Sequence, residues 1–222
     1  AFAEGVKITA YHGATGGHVD IPNQLGGLTV TEIGYEAFME KGLTSVTIPN
    51  SVTYIHERAF YSNQLTSITL PTNISTVGIE AFKNNQLTSL TVPSSINIIA
   101  QAAFEGNKLT SLNLPAKDFN ISIQAFRYNE LTSLIIPEGM TYVGVEVFQG
   151  NKLTSLSLPN SLTHLARDSF KDNELTTLTI PASVTQINQS AFEGNNLSSL
   201  TILSNELVIK ESAFRNNKLS EL

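Results

Sequence analysis

The sequence predicts a mainly β solenoid, a right-handed superhelix of 22-residue coils that each carry short parallel strands and a helical or 3-10 turn. Three observations predict it. Leucine recurs at Leu43, Leu65, Leu87, Leu109, Leu131, Leu153, Leu175, Leu197 and Leu219, always 22 apart and without insertion. The residues between follow one consensus, L-T-S-L-T-I-P-x-S-V-T-x-I-x-x-x-A-F-x-x-N-x, whose apolar positions keep fixed columns. Finally, only 14% of residues are charged, and Thr, Ser and Asn take their place, which favours strands and turns over helix interiors. Residues 1–42 are expected to form an N-terminal cap with a partial first repeat, and residues 43–218 hold eight complete units. Residues 219–222 begin a ninth that stops mid-repeat, so a longer parent chain is expected.

Each column has a physical reading. The first, fourth and sixth positions are apolar, as in Leu87, Leu90 and Val92, and their alternation marks a short strand with one buried face. The third and fifth positions point the other way and are mostly Ser and Thr, such as Ser45 and Thr47 or Ser89 and Thr91. β-Branched Thr suits an exposed sheet face. Proline follows in seven of the eight units, Pro49 to Pro181, and ends the strand because it cannot donate to a ladder. The tenth and thirteenth positions, for example Val52 with Ile55 and Val184 with Ile187, predict a second short extended segment across the coil.

An adjacent apolar pair follows, usually Ala-Phe. Two neighbours cannot both face inward on a strand, so the pair predicts a helical or 3-10 turn. Its Phe is invariant: Phe60, Phe82, Phe104, Phe126, Phe148, Phe170, Phe192 and Phe214. Asn closes every unit at Asn63, Asn85, Asn107, Asn129, Asn151, Asn173, Asn195 and Asn217. Its side chain can bond backbone groups of its own and the neighbouring coil, or it can take a left-handed turn conformation; both roles are structural. One coil cannot bury its apolar side alone, whereas stacked coils share a core with the Phe column as a spine. At about 4.7–4.9 Å per coil, eight units give a rod or arc of about 40 Å.

The run L-x-x-L-x-I-P-x-x-V-x-x-I-x-x-x-A-F-x-x-N resembles the BspA-like leucine-rich repeats of bacterial and protist surface proteins. The family often carries Cys where this chain has Asn. It also often has Ile-Gly before Ala-Phe, retained here only as Ile33-Gly34, Val77-Gly78 and Val143-Gly144. The resemblance covers nearly the whole chain and implies an exported or cell-surface protein used for adhesion or recognition. It names no ligand, because the repeated residues are the scaffold.

Composition narrows the function further. The net charge is −6 and the basic residues are scattered, so no footprint for nucleic acid or anionic membrane exists. There is no cysteine, which removes disulfides, thiolate metal sites and cysteine nucleophiles and is compatible with an exported Gram-positive protein. Ala1-Phe2-Ala3 resembles the end of a removed signal peptide. No apolar run reaches the roughly 20 residues that span a bilayer. His12, His18 and Asp20 share the Gly-rich cap without any metal-ligand spacing. His164, Asp168 and Ser169 hold the letters of a hydrolase triad, but no nucleophile elbow accompanies them, and Ser169 replaces the inward Ala of its column. No catalytic residue, metal or cofactor is expected.

Specificity should lie where the repeat breaks without a packing reason. The fourth unit carries Lys117, Asp118 and Phe119 where others have small residues and an aliphatic. The twelfth-position column holds Tyr54, Ile98, Tyr142 and His164, predicted to be exposed beside the inward thirteenth. Ile135 interrupts the Ser/Thr sheet face. Tyr54, Tyr142, His164, Phe119, Lys117 and Ile135 are therefore the candidate ligand-binding residues. The expected function is a monomeric, surface-exposed interaction module for a host or extracellular-matrix protein. A carbohydrate- or polymer-binding module and a rigid spacer within a larger secreted protein are the alternatives.

Overall fold

A computed structural model of the chain describes residues 5–220; Ala1-Phe2-Ala3 lies outside the described residues. The chain forms a β-solenoid of about nine turns, with coils one to eight beginning at Leu43, Leu65, Leu87, Leu109, Leu131, Leu153, Leu175 and Leu197. Seven of these coils carry a first strand, from Leu43–Thr47 in coil one to Ser199–Ile202 in coil eight; coil two is extended there without ladder pairing. All eight carry a two-residue second strand, from Tyr54–Ile55 to Val208–Ile209. Pairing between coils is parallel and in register at 22 residues, as Tyr54 with Thr76 and Ile55 with Val77.

The N-terminal segment extends both ladders. Gly17–Asp20 pairs with Leu43–Thr47, and Val6–Ile8 pairs with Leu28–Ile33, both parallel. Gln24–Leu25 folds back antiparallel on Leu28–Ile33. Gly26 and Gly27 make that hairpin at φ 59° and 82°, a conformation that a two-residue loop needs and that glycine adopts at no steric cost.

The Ala-Phe segment departs from the sequence expectation. Among the described residues there is no α or 3-10 helix. Instead, short turns such as Ala59 N–H to His56 C=O (3.3 Å) and Tyr61 N–H to Arg58 C=O (3.1 Å) are broken by left-handed residues, Arg58 at φ 53° and Ser62 at φ 51°. The reversals aim alternate N–H groups along the solenoid axis. Arg58, Phe60 and Ser62 donate to Ile79, Ala81 and Lys83 of the next coil at 2.8, 2.8 and 2.9 Å. A helix would have consumed these donors internally and left the coil faces unpaired.

The Phe side chains stack inside this third ladder, Phe38 to Phe214, with centroids 5.1–5.7 Å apart and ring planes within 13°. Tyr11 caps the column at 5.2 Å from Phe38. Each buried Phe contributes about 1.5–3 kcal/mol of transfer free energy. Beside the spine runs an asparagine ladder. Asn107 Nδ2 donates to the carbonyls of Phe82 (2.9 Å) and Phe104 (3.1 Å), while its Oδ1 accepts from Leu87 N–H (3.1 Å). Outside it, ion pairs bridge successive coils: Arg58–Glu80, Lys83–Glu105, Arg127–Glu146 and Lys171–Glu193. Charge is thereby concentrated on the turn side, and the first-strand columns carry none.

Candidate functional site

The scaffold is most irregular where coil four meets coil five. In the other proline-bearing coils the residue three beyond the proline donates to its carbonyl, as Ile96 does to Pro93 (3.1 Å) and Leu162 to Pro159 (3.2 Å). That turn drives an aliphatic side chain into the core, and Val52, Ile74, Ile96, Met140, Leu162 and Val184 are all buried. Coil four has Asp118 there, and an unpaired carboxylate cannot take a core position. The backbone instead turns tightly, Lys117 N–H donating to Pro115 C=O at 2.8 Å. Phe119, one residue late, packs half-buried against the core. Gly139 of coil five sits beneath the displaced loop at φ 99°, where a Cβ would meet Lys117 Cα at 3.0 Å.

The slip loses backbone hydrogen bonds. In neighbouring coils the fourteenth residue donates to the second strand of the coil before it: Gly78 to Ile55 (2.7 Å), Ala100 to Val77 (2.9 Å), Ser122 to Ile99 (2.9 Å) and Ala166 to Val143 (3.0 Å). Gly144 N–H and Ile121 C=O make no such bond, and the second-strand ladder divides between Asn120–Ile121 and Tyr142–Val143. The first-strand ladder divides at the same junction. Ser111–Asn113 pairs back to Ser89–Thr91, and Ser133–Ile135 pairs forward to Ser155–Ser157. The first-strand ladder also opens on both sides of coil two and between coils six and seven, but there the second strands stay paired. At the four–five junction the turn ladder continues, with Phe126 N–H to Val147 C=O at 3.1 Å and Asn151 Nδ2 to Phe126 C=O at 3.1 Å, and Glu130 N–H still reaches Leu109 C=O at 3.0 Å.

Two grooves occupy this seam. On the first-strand side a groove of about 330 Å³ lies between coils four and five, beside Ile135 and Pro137. Ile135 is 70% exposed, the most exposed large apolar side chain among the described residues. On the second-strand side a groove of about 420 Å³ is lined by Asp118, Phe119, Asn120, Ile121, Thr141 and Tyr142. Tyr142 also borders a third groove of about 500 Å³ that continues past Arg167, Asn188 and Gln189 to Lys210 and Glu211. Arg167 is neutralised there by Glu146 (3.0 Å) and Asp168 (2.9 Å). Burial pushes the Asp168 carboxyl up, and Lys171 and Arg167 partly oppose that rise.

Comparison with known proteins agrees with this geometry. The model of the BspA type leucine rich repeat region matches in six copies, over residues 31–149 and 119–222. The chain belongs to the BspA-type leucine-rich-repeat family. Among solved structures, this BspA-type array is similar to a leucine-rich repeat protein from Bacteroides ovatus ATCC 8483, at 26% identity and a TM-score of 0.71. That likeness covers 94% of this chain and 66% of the other, so the chain spans just under two thirds of its relative. A leucine rich cell surface protein from Faecalibacterium prausnitzii A2-165 shares the fold at 22% identity and a TM-score of 0.56, over 92% of this chain and 71% of that one. No curated protein sequence matches the chain. Proteins with this fold are generally protein-interaction modules and typically non-catalytic.

Within the BspA-type array, the candidate residues separate into groups. Phe119 and Tyr142 share one groove, whereas Lys117 is not part of its lining and donates to Asn97 Oδ1 (3.4 Å). His164 is the ladder partner of Tyr142, half-buried, with Nδ1 2.8 Å from Thr163 Oγ1. Ile135 faces the other side of the same seam. Tyr54 stands apart in coil one, half-buried against His56 with ring centroids 4.2 Å apart, so it is not the open aromatic its column predicted. Coil eight shares the residue pattern of coil four, with Glu206 and Leu207 at the tenth and eleventh positions and Leu207 half-buried, but without the proline or its tight turn.

The triad letters do not assemble. Ser169 is fully buried with no partner for its hydroxyl, and Asp168 pairs with Arg167. A different trio does meet on the first rung, where His18 Nδ1 lies 2.7 Å from Ser45 Oγ and His18 Nε2 lies 2.9 Å from Asp20 Oδ1. It stands on an open sheet face and ties the N-terminal strand to coil one. Among the described residues no group of three His, Cys, Asp or Glu side chains can hold a metal ion, and no helix is long and apolar enough to cross a membrane.

Proposed function

We propose that the chain is a non-catalytic recognition module, secreted or held at a bacterial cell surface, that binds a host or extracellular-matrix protein. The contact surface is the first-strand face at the four–five junction. The exposure of Ile135 carries this reading: a large aliphatic side chain stands free beside a groove on a sheet face whose strands in coils one to eight hold no ionisable side chain. An apolar anchor ringed by small polar residues is the arrangement on which protein interfaces concentrate their energy. The deviation of coil four also sits on an otherwise uniform scaffold, where a rigid repeat array can hold it in fixed geometry. The test is a binding screen of the purified chain against extracellular-matrix proteins. Micromolar binding that weakens about tenfold or more in Ile135→Ser, with unchanged circular dichroism, is the expected result. If no matrix protein binds at micromolar concentration, or Ile135→Ser binds as the parent does, the reading fails. A second reading, a carbohydrate ligand, is favoured by one observation: Phe119 and Tyr142 line a single groove.

A further inference from the structure

We propose that the second-strand side of the four–five junction is a binding site for an uncharged oligosaccharide, with Tyr142 as its central stacking platform. It deepens the carbohydrate reading above and does not depend on the protein ligand, whose proposed surface is the opposite side of the seam.

Shape comes first. The grooves of about 420 and 500 Å³ meet at Tyr142, so together they form a trench crossing coils four to eight. At about 4.7–4.9 Å per coil the trench runs for roughly 15–20 Å along the solenoid axis, the reach of a chain of several sugar rings. A compact ligand would leave most of it empty.

The lining supplies the chemistry of sugar recognition. Tyr142 is 49% exposed and Phe119 half-buried, so each offers apolar ring surface to the C–H face of a pyranose. Between and beyond them stand Asn120, Thr141, Asn188 and Gln189, whose amides and hydroxyl can exchange hydrogen bonds with sugar hydroxyls. Asn188 is held by bonds to Leu165 C=O (3.0 Å) and from Gln186 (2.6 Å), so among the described residues Gln189 and Tyr142 supply the uncharged lining polar groups without a protein partner. The Ile121 carbonyl lacks the bond that its counterparts make, and such a backbone group calls for a partner.

Charge and backbone decide against other ligands. The lining sets Asp118 and Glu211 against Arg167 and Lys210, and Arg167 is ion-paired with Glu146 and Asp168, so the trench carries no net positive charge to hold an acidic polymer. A peptide would bind as an added strand, which needs a row of free N–H and C=O groups. The second strands are two residues long and mostly paired. An uncharged oligosaccharide is what remains.

The experiment is an NMR titration of the whole chain with cellohexaose, xylohexaose and mannohexaose, with an oligogalacturonate as the acidic probe. At least one neutral hexasaccharide should bind and shift the Gly144 and Tyr142 signals, and its monosaccharide should bind about tenfold more weakly or worse. Tyr142→Ala should weaken binding about tenfold or more, while Ile135→Ser leaves it unchanged. A repair variant, Lys117→Ser with Asp118→Val and Phe119→Thr, restores the repeat, should close the ladder and should abolish sugar binding in a folded chain. The proposal is overturned if no neutral hexasaccharide binds, if Tyr142→Ala or the repair variant binds as the parent does, or if the acidic probe binds more tightly than every neutral one.

Discussion

Replacing Asn107 with alanine removes one rung of the asparagine ladder from the middle of the array. The side chain is 5% exposed and makes three backbone hydrogen bonds, two as donor to Phe82 and Phe104 and one as acceptor from Leu87. Alanine leaves the Leu87 N–H without a partner, while the Phe82 and Phe104 carbonyls each keep a second donor, Asn85 (3.1 Å) and Asn129 (3.0 Å). At about 1–3 kcal/mol for the stranded N–H and about 0.5–1.5 kcal/mol for each of the two other bonds lost, less what relaxation and entering water recover, the loss should be about 2–5 kcal/mol. Asn107→Asp separates hydrogen bonding from packing, because the shape is nearly kept. Its oxygen can still accept from Leu87, but a carboxylate oxygen then faces the two carbonyls, so this variant should be at least as unstable as alanine at neutral pH. Urea unfolding followed by circular dichroism measures the loss, and amide exchange at Leu87 localises it, which matters because stacked repeats need not unfold as one unit. Asn217→Ala, in the more exposed last complete coil, should cost less. A loss at Asn107 below about 1 kcal/mol, or an aspartate tolerated as well as asparagine, would refute the reasoning.

Ser169 occupies the column held by Ala81, Ala103 and Ala125, and its hydroxyl is buried without a partner. Ser169→Ala should therefore raise stability by about 1 kcal/mol, and a lower thermal midpoint would contradict this. Acid should loosen the turn-side ion pairs in a predictable direction. Burial alone would raise the Glu80 carboxyl, but hydrogen bonds from Arg58 (2.6 Å) and Lys83 (3.0 Å) outweigh it and hold the group below its ordinary 4.5. Its folded pKa is below the unfolded one, so this contribution is present above 4.5 and is lost as pH falls through the lower folded value. Glu80→Gln should flatten part of the decline in urea stability on acidification, and parallel pH profiles for the two proteins would count against it.

The periodic part of the fold was legible because a scaffold duty repeated every 22 residues leaves the same residue type each time. Phe fills, Pro ends the strand, and small polar residues cover the open sheet face. The Ala-Phe turn was misjudged because two inward neighbours fit a helix as readily as a chain that alternates handedness. Gly106, Gly150 and Gly194, all at φ near 70° and all in the same column, carried the signal for left-handed turns. Asp118 in an aliphatic column marked coil four as irregular. That the slip opens both ladders at one junction is a matter of bonds not formed, which no residue type records. Tyr54 shows the limit of column reasoning: it shares its position with Tyr142, yet its neighbour His56 covers it.

The central claim is that the displaced Phe119 opens the second-strand ladder between coils four and five and so creates the ligand site. Amide hydrogen exchange tests it most directly. Gly78, Ala100 and Ala166 donate to the preceding coil at 2.7–3.0 Å, whereas Gly144, in the same column, has no acceptor among the described residues. Gly144 should exchange orders of magnitude faster than those three in the parent chain, and the repair of Lys117, Asp118 and Phe119 should bring it into line with them. A Gly144 amide as well protected as Gly78 in the unmodified protein would contradict the account.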